Sequence, residues 1–405
     1  MMVTEVRTNT LLEINHLSVD YDSTRGTVHA VNDVSFTIER GQIFGLAGES
    51  GSGKSTLAYA IARLLQPPAV VTQGQVLYHP HRAAPSAGTL PVNRQAKLGY
   101  SRGDPCGRPG GDGRPGGSKD DAVVDVLALN PDQLRAFRWR DLSIVFQSAM
   151  NALNPVLDIG TQITDVLHAH NPLMTAARAR SRAVELLQLV GIASDRLHSY
   201  PHELSGGMRQ RAIIAIALAL DPEIIIMDEP TTALDVVVQR DILAQIMRLR
   251  NDFGFSVIFI THDLSLLLEI ADTIAIMYAG RIAEIGTSKD LFRHPRHPYT
   301  YGLLNSFPSL RGPRSRLTGI PGSPPDLRSV PPGCAFHPRC AFAFTACHTI
   351  VPALLPVMRE KVYRGVPLVD TLSVGEQVTC VACHLYDAEL NPEGPPKRLE
   401  SEHVN

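Results

Sequence analysis

The sequence lacks an apolar run long enough to cross a lipid bilayer. A membrane-spanning helix needs about 18 or more apolar residues, whereas residues 212–220, the best run, lie between Arg211 and Asp221. Residues 1–12 also lack the apolar stretch of a secretory signal. We therefore expect a cytosolic chain that does not cross a membrane by itself.

An excess of charge of either sign is also absent. Lys and Arg total 38 and Asp and Glu total 40, so no net basic field attracts nucleic acid. Hydrophobic residues make up 44% and charged residues 19%, values typical of folded globular proteins and not of disordered chains. The 405 residues allow two to three domains, and the charge balance argues against a role in binding DNA or RNA.

Cysteine is scarce in the first 330 residues. Five of the six cysteines follow that point, and in a cytosolic chain this favours metal or redox chemistry over a disulfide framework. The spacing C-x5-C-x6-C-x35-C fits neither a zinc knuckle nor the bacterial ferredoxin run, so iron–sulfur, zinc and reduced thiols all stay open. The cysteines in this pattern are Cys334, Cys340, Cys347 and Cys383.

Short apolar segments alternate with amphipathic ones along most of the chain. This alternation predicts an α/β fold with a mostly parallel sheet and a ligand site at the carboxyl ends of its strands. The predicted strands cover residues 12–14, 17–19, 34–38, 43–47, 142–146, 223–228 and 256–260. The predicted helices cover residues 57–65, 132–140, 178–190 and 205–220.

Two segments interrupt this pattern. Gly or Pro fills ten of the twenty positions 101–120, so residues 79–121, Cys106 included, are predicted to be a disordered surface insert. A partner-binding loop is the alternative. After Thr287 the chain becomes rich in proline, which predicts a separate, loop-rich domain. The predicted organisation is a nucleotide-binding domain over residues 11–286, a C-terminal domain over 287–386 and a flexible tail over 387–405.

A phosphate-binding loop follows the predicted strand at residues 43–47. The pattern Gly48-x4-Gly53-Lys54-Ser55 stands between a buried strand and a helix, which is the context that this motif requires. Its backbone N–H groups can surround phosphates, while Lys54 supplies a cation and Ser55 a hydroxyl for Mg²⁺. The predicted nucleotide contacts of this loop are Gly48, Ser50, Gly51, Gly53, Lys54, Ser55 and Thr56.

Two acidic residues end the apolar strand at 223–228. Asp228 is expected to hold Mg²⁺ directly or through water, and Glu229 to orient or deprotonate the attacking water. A strand-end Asp-Glu alone would more often simply begin a loop. Together with the phosphate loop, the pair predicts the hydrolysis of a bound nucleotide.

Residues 204–211, Leu-Ser-Gly-Gly-Met-Arg-Gln-Arg, resemble the signature of ATP-binding cassette (ABC) ATPases. The resemblance implies a P-loop NTPase fold with an antiparallel β-subdomain and a helical subdomain, here at about residues 132–220. It also implies that Ser205, Gly206 and Gly207 contact the γ-phosphate bound by an opposite subunit.

The remaining parts of an ABC ATPase match in order along the chain. The resemblance implies that Gln147 is the Q-loop glutamine and a Mg²⁺ ligand beside Ser55 and Asp228, Asp235 belongs to the D-loop, and His262 is the switch histidine. Tyr21 is the candidate for stacking on adenine, although an aromatic residue at a strand end usually packs.

Several further segments resemble the oligopeptide/dipeptide importer branch and its OppD/DppD-type subunit. They are residues 148–155, Met208 in the signature, residues 297–300 and residues 333–340, and the resemblance extends over residues 11–386 apart from the insert. Members of this branch carry cysteines at matching places. The resemblance implies a [4Fe-4S] cluster there for some of them.

The resemblance implies an ATP-hydrolysing subunit of a bacterial peptide importer, peripheral to the cytoplasmic face of the membrane. Its implied partners are a companion OppF/DppF-type ATP-binding subunit, two membrane permeases and an extracellular substrate-binding protein, with no nucleic acid. A soluble ABC ATPase without a transport role, or an importer of nickel or oligosaccharide, is the alternative. A non-hydrolysing module is disfavoured, because Lys54, Asp228, Glu229 and His262 are all present.

Overall fold

Two β-sheets organise the chain in the computed structural model. The structure describes residues 9–24, 26–80, 123–147, 152–232, 234–306, 319–358, 361–362 and 378–396. The predicted insert from residue 81 onward, with Cys106, therefore lies outside the described residues. The structure also does not describe three further parts of the predicted site or tail: residues 148–151, which follow Gln147; Ala233, two positions before Asp235; and residues 397–405.

The smaller sheet is antiparallel and has the strand order β2-β1-β4-β5. Its strands are β1 (Thr10–Tyr21), β2 (Val28–Glu39), β4 (Ala69–Tyr78) and β5 (Val124–Asp125). The two short segments predicted at 12–14 and 17–19 form one strand, because a register shift near His16, whose φ is 50°, keeps both apolar sets on the buried face. The insert joins β4 to β5, which pair directly.

The larger sheet has nine strands in the order β12-β11-β13-β10-β9-β3-β8-β7-β6. Strands β9, β3, β8, β7 and β6 are parallel, and β3, β7 and β8 are buried along their whole length, as their continuous apolar sequences predict. The bounds are β3 (Ile43–Ala47), β6 (Leu142–Val145), β7 (Ile224–Asp228), β8 (Ser256–Ile260), β9 (Thr273–Tyr278), β10 (Arg281–Thr287), β11 (Leu355–Met358), β12 (Lys361–Val362) and β13 (Thr379–Val381).

Helices pack against the two sheets, and apolar side chains of helices and strands form shared hydrophobic clusters. The helices are α1 (Lys54–Ile61), α2 (Pro131–Phe137), α3 (Ile159–His170), α4 (Ala176–Leu189), α5 (Gly206–Ala217), α6 (Val236–Phe253), α7 (Leu264–Ile270), α8 (Ser288–Arg293), α9 (Pro298–Asn305) and α10 (Thr345–Thr349). Helices α3, α4 and α5 contact one another and form a helical unit beside strand β6. Over the described ranges, no helix is long and apolar enough to cross a membrane.

The region after residue 287 shares the core sheet. The proline content predicts a separate domain here, but β13 pairs with β10, and β11 pairs in turn with β13. Tyr299 and Phe336 belong to the same hydrophobic cluster as the parallel strands. The C-terminal region therefore packs against the nucleotide-binding core, and the exact domain boundaries stay a prediction.

Candidate active site

The phosphate loop connects the end of β3 to the start of α1. Gly48 and Gly53 have φ angles of 146° and 101°, in the region that favours glycine. A Cβ atom at Gly48 would lie 2.3 Å from the Met277 carbonyl oxygen, and one at Gly53 would lie 2.1 Å from the Ala30 carbonyl oxygen. Both glycines are thus required by the close approach of neighbouring backbone, and they fix the loop at the N-terminus of α1.

Lys54 lies inside this loop. Its Nζ donates to the carbonyl oxygens of Gly48, at 2.8 Å, and Glu49, at 2.9 Å. Burial lowers the pKa of Lys54, while the nearby carboxylates of Glu229, Asp228 and Glu49 act in the opposite direction. The Lys54 ammonium group therefore donates to backbone carbonyl oxygens at the place where the motif predicts a phosphate. A bound phosphate would replace these hydrogen bonds.

Ser55 and Asp228 meet at the carboxyl ends of the parallel strands. The Ser55 hydroxyl donates to Asp228 Oδ1 at 3.1 Å. Asp228 is fully buried, and burial raises its pKa, although the hydrogen bond from Ser55 and the nearby Tyr59 hydroxyl lower it. Its Oδ2 atom is buried without a hydrogen-bond partner among the described residues. A buried carboxylate oxygen with a free lone pair beside a hydroxyl fits Mg²⁺, which prefers oxygen ligands.

Three side chains hold the Glu229 carboxylate. Gln147 Nε2 donates to Glu229 Oε2 at 2.9 Å, His262 Nδ1 lies 3.1 Å from Oε1, and Thr232 Oγ1 donates to Oε2 at 3.1 Å. Burial by itself would raise the pKa of Glu229, but the hydrogen bonds from His262 and Thr232 outweigh it and place the pKa below its ordinary value. Glu229 is therefore an oriented carboxylate that can accept a proton at neutral pH.

The backbone at Glu229 is itself unusual. Its φ of 46° lies in the left-handed region, which non-glycine residues adopt rarely and mostly at sites where the surroundings enforce it. The strand β7 ends one residue earlier, so this turn directs the carboxylate toward Gln147 and His262.

Tyr21 stands at the end of β1, next to the phosphate loop. Its hydroxyl lies 3.2 Å from Thr56 Oγ1, so the ring is placed beside the first turn of α1. Ser50 and Gly51 are exposed at the tip of the loop. The structure thus brings together Tyr21, the phosphate-loop residues, Gln147, Asp228, Glu229 and His262.

The signature residues stand at the start of another helix, α5. Ser205 is exposed and caps α5 by accepting the Met208 N–H at 3.3 Å, and Gly206 and Gly207 form the first turn. Asp235 caps α6 by accepting the N–H groups of Val237 and Val238. Within the described ranges, no hydrogen bond joins these residues to the phosphate loop.

Comparison with known proteins identifies the family. A family model described as ABC transporter matches residues 31–104 and 119–232, and one described as oligopeptide/dipeptide transporter, C-terminal region, matches residues 283–347. The dipeptide transport ATP-binding protein DppD of Bacillus subtilis (strain 168) is 40% identical over 345 residues, which cover 84% of this chain and 90% of that one. The chain belongs to the ATP-binding proteins of the oligopeptide/dipeptide ABC transporter family.

Other similar proteins agree with this assignment. The oligopeptide transport ATP-binding protein OppD of the same Bacillus strain is 39% identical over 342 residues, covering 84% of this chain and 83% of its own length. The solved dimeric ABC cassette MJ0796 is 24% identical, covers 69% of this chain and 99% of its own, and superposes with a TM-score of 0.52, which shows the shared fold. The predicted family resemblance and ABC nucleotide-binding fold are confirmed.

For this ABC ATPase, family membership implies the use of ATP and Mg²⁺, as the sequence predicts. The individual roles of its site residues stay predictions. Thr232, which bonds to Glu229, is absent from the predicted site, although a hydroxyl three residues after a strand-end acid is a local signal that could have suggested it. The predicted site also does not include Tyr299 and Arg339, which contact the phosphate loop. Both residues lie about 250 or more positions away in the sequence, so no local pattern connects them to the loop.

The C-terminal cysteines of the ABC ATPase gather in one region as free thiols. The Cys334 N–H donates to the Cys347 carbonyl oxygen at 2.9 Å. Burial raises the pKa of Cys383 well above its ordinary value, and the nearby thiols of Cys334, Cys340 and Cys347 raise it further. Nevertheless, the described residues contain no group of three or more His, Cys, Asp or Glu side chains arranged to hold a metal ion. The predicted iron–sulfur cluster therefore receives no support from this geometry.

Proposed function

We propose that this chain hydrolyses ATP to power the import of di- or oligopeptides through a bacterial ABC transporter. The observation that carries the proposal is the Glu229 carboxylate, held by Gln147 and His262 beside the phosphate loop. The match of the C-terminal region to the peptide-transporter family model favours peptides over nickel or oligosaccharide, and favours transport over a soluble role.

In the proposed reaction, Lys54 and the phosphate-loop N–H groups bind the phosphates of ATP. Ser55, Asp228 and Gln147 would hold Mg²⁺, which neutralises phosphate charge when bound. Water attacks the γ-phosphorus, the bond to the ADP oxygen breaks, and Glu229 accepts the proton from water. His262 orients Glu229 through the contact at its Oε1 atom. Tyr21, at the edge of the loop, would stack on adenine.

We propose further that each ATP site is completed by a second ATP-binding subunit. The exposed Ser205 and Asp235, with the half-buried Gly206 and Gly207, would contact the γ-phosphate held by the partner's phosphate loop. Val236 and Val237, next to Asp235, are 70% and 71% exposed and would be covered in that dimer. The partner is a companion OppF/DppF-type subunit, and two membrane permeases would dock near Gln147 on the cytoplasmic face. An extracellular binding protein would deliver the peptide.

Transport by the reconstituted complex tests this proposal. The chain would be assembled with its companion subunit and permeases in proteoliposomes, and the uptake of a labelled dipeptide, a pentapeptide, nickel and an oligosaccharide would be compared. We expect ATP-dependent uptake of a peptide, and no uptake when Lys54→Ala replaces the wild type. Uptake of nickel or oligosaccharide in place of peptide would contradict the proposed substrate, and ATP-independent uptake would contradict the proposed role.

A [4Fe-4S] cluster at Cys334, Cys340, Cys347 and Cys383 is the finer cofactor proposal, and it enters no step of the reaction above. It is supported by the resemblance of the cysteine positions to those of the importer branch and by the thiolate preference of such clusters. Iron and sulfide analysis of protein made and purified without oxygen tests it. Zinc without sulfide would replace the cluster with a structural zinc site, and protein free of metal would leave four reduced cysteines.

A further inference from the structure

An ion pair joins the phosphate loop to the C-terminal region. Glu49, the second residue of the loop, accepts two parallel hydrogen bonds from Arg339. Arg339 Nη1 lies 2.6 Å from Glu49 Oε2, and Nη2 lies 3.0 Å from Oε1. Bidentate pairs of this kind fix both the orientation and the distance of their partners. The two residues are 290 positions apart in the sequence, so the contact exists only in the folded chain.

Arg339 is held in place by groups other than Glu49. Its Nε donates to the Pro321 carbonyl oxygen at 2.8 Å, and Nη1 donates to the Tyr278 hydroxyl at 3.3 Å. The guanidinium carbon lies 5.8 Å from the centre of the Tyr278 ring and 5.9 Å from that of Phe336, within the range of cation–π attraction. Arg339 is only 8% exposed, so this pair differs from the mobile ion pairs of the surface.

The same region also holds the backbone of the loop. The Glu49 N–H donates to the hydroxyl of Tyr299 at 2.9 Å, and Tyr299 is fully buried. Its ring packs against Tyr278 and Phe336, with ring centres 4.7 Å and 5.3 Å away. Glu49 is thus contacted by the C-terminal region through both its side chain and its backbone.

Glu49 places a negative charge where the loop must bind a polyanion. Lys54 Nζ donates to the Glu49 carbonyl oxygen, and the Glu49 carboxylate contributes to the electrostatic environment of that ammonium. An unpaired carboxylate at this position would repel the phosphates of ATP, since charges a few ångströms apart interact strongly in a partly buried site. Arg339 supplies the charge that cancels it.

We propose that Arg339 is a positioning residue: it neutralises the Glu49 carboxylate, so that the phosphate loop can bind the phosphates of ATP. The C-terminal region thereby sets the affinity of the core for ATP. This inference rests on the proposed function of the loop as an ATP site. It assigns to the C-terminal region a direct role in nucleotide binding, separate from any cofactor at the cysteines.

A double-mutant cycle tests the inference in the full chain. The affinity for a non-hydrolysable ATP analogue with Mg²⁺ would be measured by titration for the wild type, Arg339→Met, Glu49→Gln and the double variant. We expect Arg339→Met to bind roughly tenfold more weakly or worse, since the Glu49 charge is then uncompensated. Glu49→Gln should bind the analogue at least as well as the wild type. The double variant should bind within about threefold of the wild-type affinity, because residue 49 then carries no charge that needs compensation.

Recovery in the double variant separates charge compensation from packing. If Arg339 only filled space, the double variant would bind as weakly as Arg339→Met, and that result would overturn the inference. If Arg339→Met did not fold, the ATP-analogue affinities of Glu49→Gln and the double variant would be compared. Equal affinities would support the inference, and tenfold weaker binding by the double variant would overturn it. Arg339→Lys, which keeps the cation, should bind more tightly than Arg339→Met.

Arg328→Met is the matched control. Arg328 lies in the same region and pairs with Asp326 on the surface, so its replacement should leave ATP affinity unchanged. Failure of the wild type to bind the analogue would overturn the proposed function itself. Equal affinities of the wild type and Arg339→Met would overturn only the role given to Arg339.

Discussion

At the scale of single residues, the role given to Glu229 depends on one proton. Glu229→Gln keeps the shape of the side chain and can still contact Gln147, Thr232 and His262, but an amide cannot accept a proton from water. We expect ATP binding to persist and turnover to fall on the order of a hundredfold or more. Steady-state ATPase rates and the titration of an ATP analogue would measure the two effects separately.

The neighbouring Asp228→Asn is the informative comparison. Asp228 contacts Ser55 and carries the unpartnered buried oxygen, so we expect its amide variant to weaken the Mg²⁺ dependence of ATP binding, which Glu229→Gln should leave intact. A Glu229→Gln variant that hydrolyses ATP at nearly the normal rate would show that another group accepts the proton.

Glu284 gives the folded chain a measurable dependence on pH. Its oxygens accept the N–H groups of Arg296 and His297, and burial raises its pKa from 4.5 to about 7. Between these values the folded state keeps a proton that the unfolded state releases. The contribution of Glu284 to stability is therefore present below about pH 4.5 and is lost as the pH rises to about 7.

Comparison with Glu284→Gln isolates this contribution. We expect the unfolding free energy of the wild type, relative to that of the variant, to fall by about 2 to 3 kcal/mol between roughly pH 5 and pH 8. Burial lowers the pKa of His297 to about 3, which adds an opposite trend, but both proteins share it and the difference removes it. Denaturant titrations at both pH values supply the numbers, and parallel pH profiles would contradict a raised pKa.

At the scale of secondary structure, continuous sequence patterns predict strands and loops whose formation depends on neighbouring residues. The apolar strands β3, β7 and β8 and the phosphate loop between β3 and α1 follow from continuous sequence, and the structure has them where the sequence predicts. Helix α6 is not among the predicted elements. Its first turn contains Val236, Val237 and Val238, β-branched residues that favour strands. The Asp235 cap and the packing of the buried helix face stabilise the helix instead.

The contacts that depend on distant residues could not be predicted in the same way. Gln147 and His262 meet Glu229 because three parallel strands end at one edge, and only the family resemblance suggested that they would. The pair of Glu49 with Arg339 has no local pattern at all, since each residue is an ordinary surface type in its own segment. Tertiary structure alone brings the C-terminal region onto the phosphate loop.

The insert between β4 and β5 can be tested as a unit. Replacing residues 81–121 by a short Gly/Ser/Asn linker leaves His79, whose N–H donates to the Leu11 carbonyl oxygen, and keeps the pairing of Tyr78 with Val124. Loop closure costs about 0.6 kcal/mol per doubling of length, so we expect the melting temperature to stay equal or rise slightly. ATP affinity should not change. A fall of several degrees would show that the insert packs against the fold.

At the scale of the whole molecule, the phosphate loop contacts the C-terminal region through Glu49, while its tip at Ser50 and Gly51 is exposed. Strand β13 extends the core sheet and Arg339 contacts Glu49, and on this basis we propose that the C-terminal region affects nucleotide binding. Among the described residues, by contrast, the signature residues make no hydrogen bond to the loop of their own chain. We propose that the chain carries two half-sites and that neither works alone.

Replacement of Ser205 tests the composite site without weakening helix α5. Asp and Thr can both cap a helix as Ser does, so Ser205→Asp and Ser205→Thr should fold equally well. The carboxylate of Ser205→Asp would face the γ-phosphate of the opposite subunit and repel it, whereas Ser205→Thr keeps a hydroxyl there. ATP binding by the dilute monomer should be unchanged in both variants, because among the described residues Ser205 makes no hydrogen bond to its own phosphate loop.

ATPase rates measured against subunit concentration then distinguish a composite site from a self-contained one. For the wild type, the rate per chain should be low when the chain is dilute and should rise with concentration or on addition of the companion subunit. Ser205→Thr should retain most of this rise and Ser205→Asp should lose it, because only the second variant places like charges across the interface. Full activity of a demonstrably monomeric wild type, or a normal rise with Ser205→Asp, would show that the exposed signature residues do not complete a partner's site.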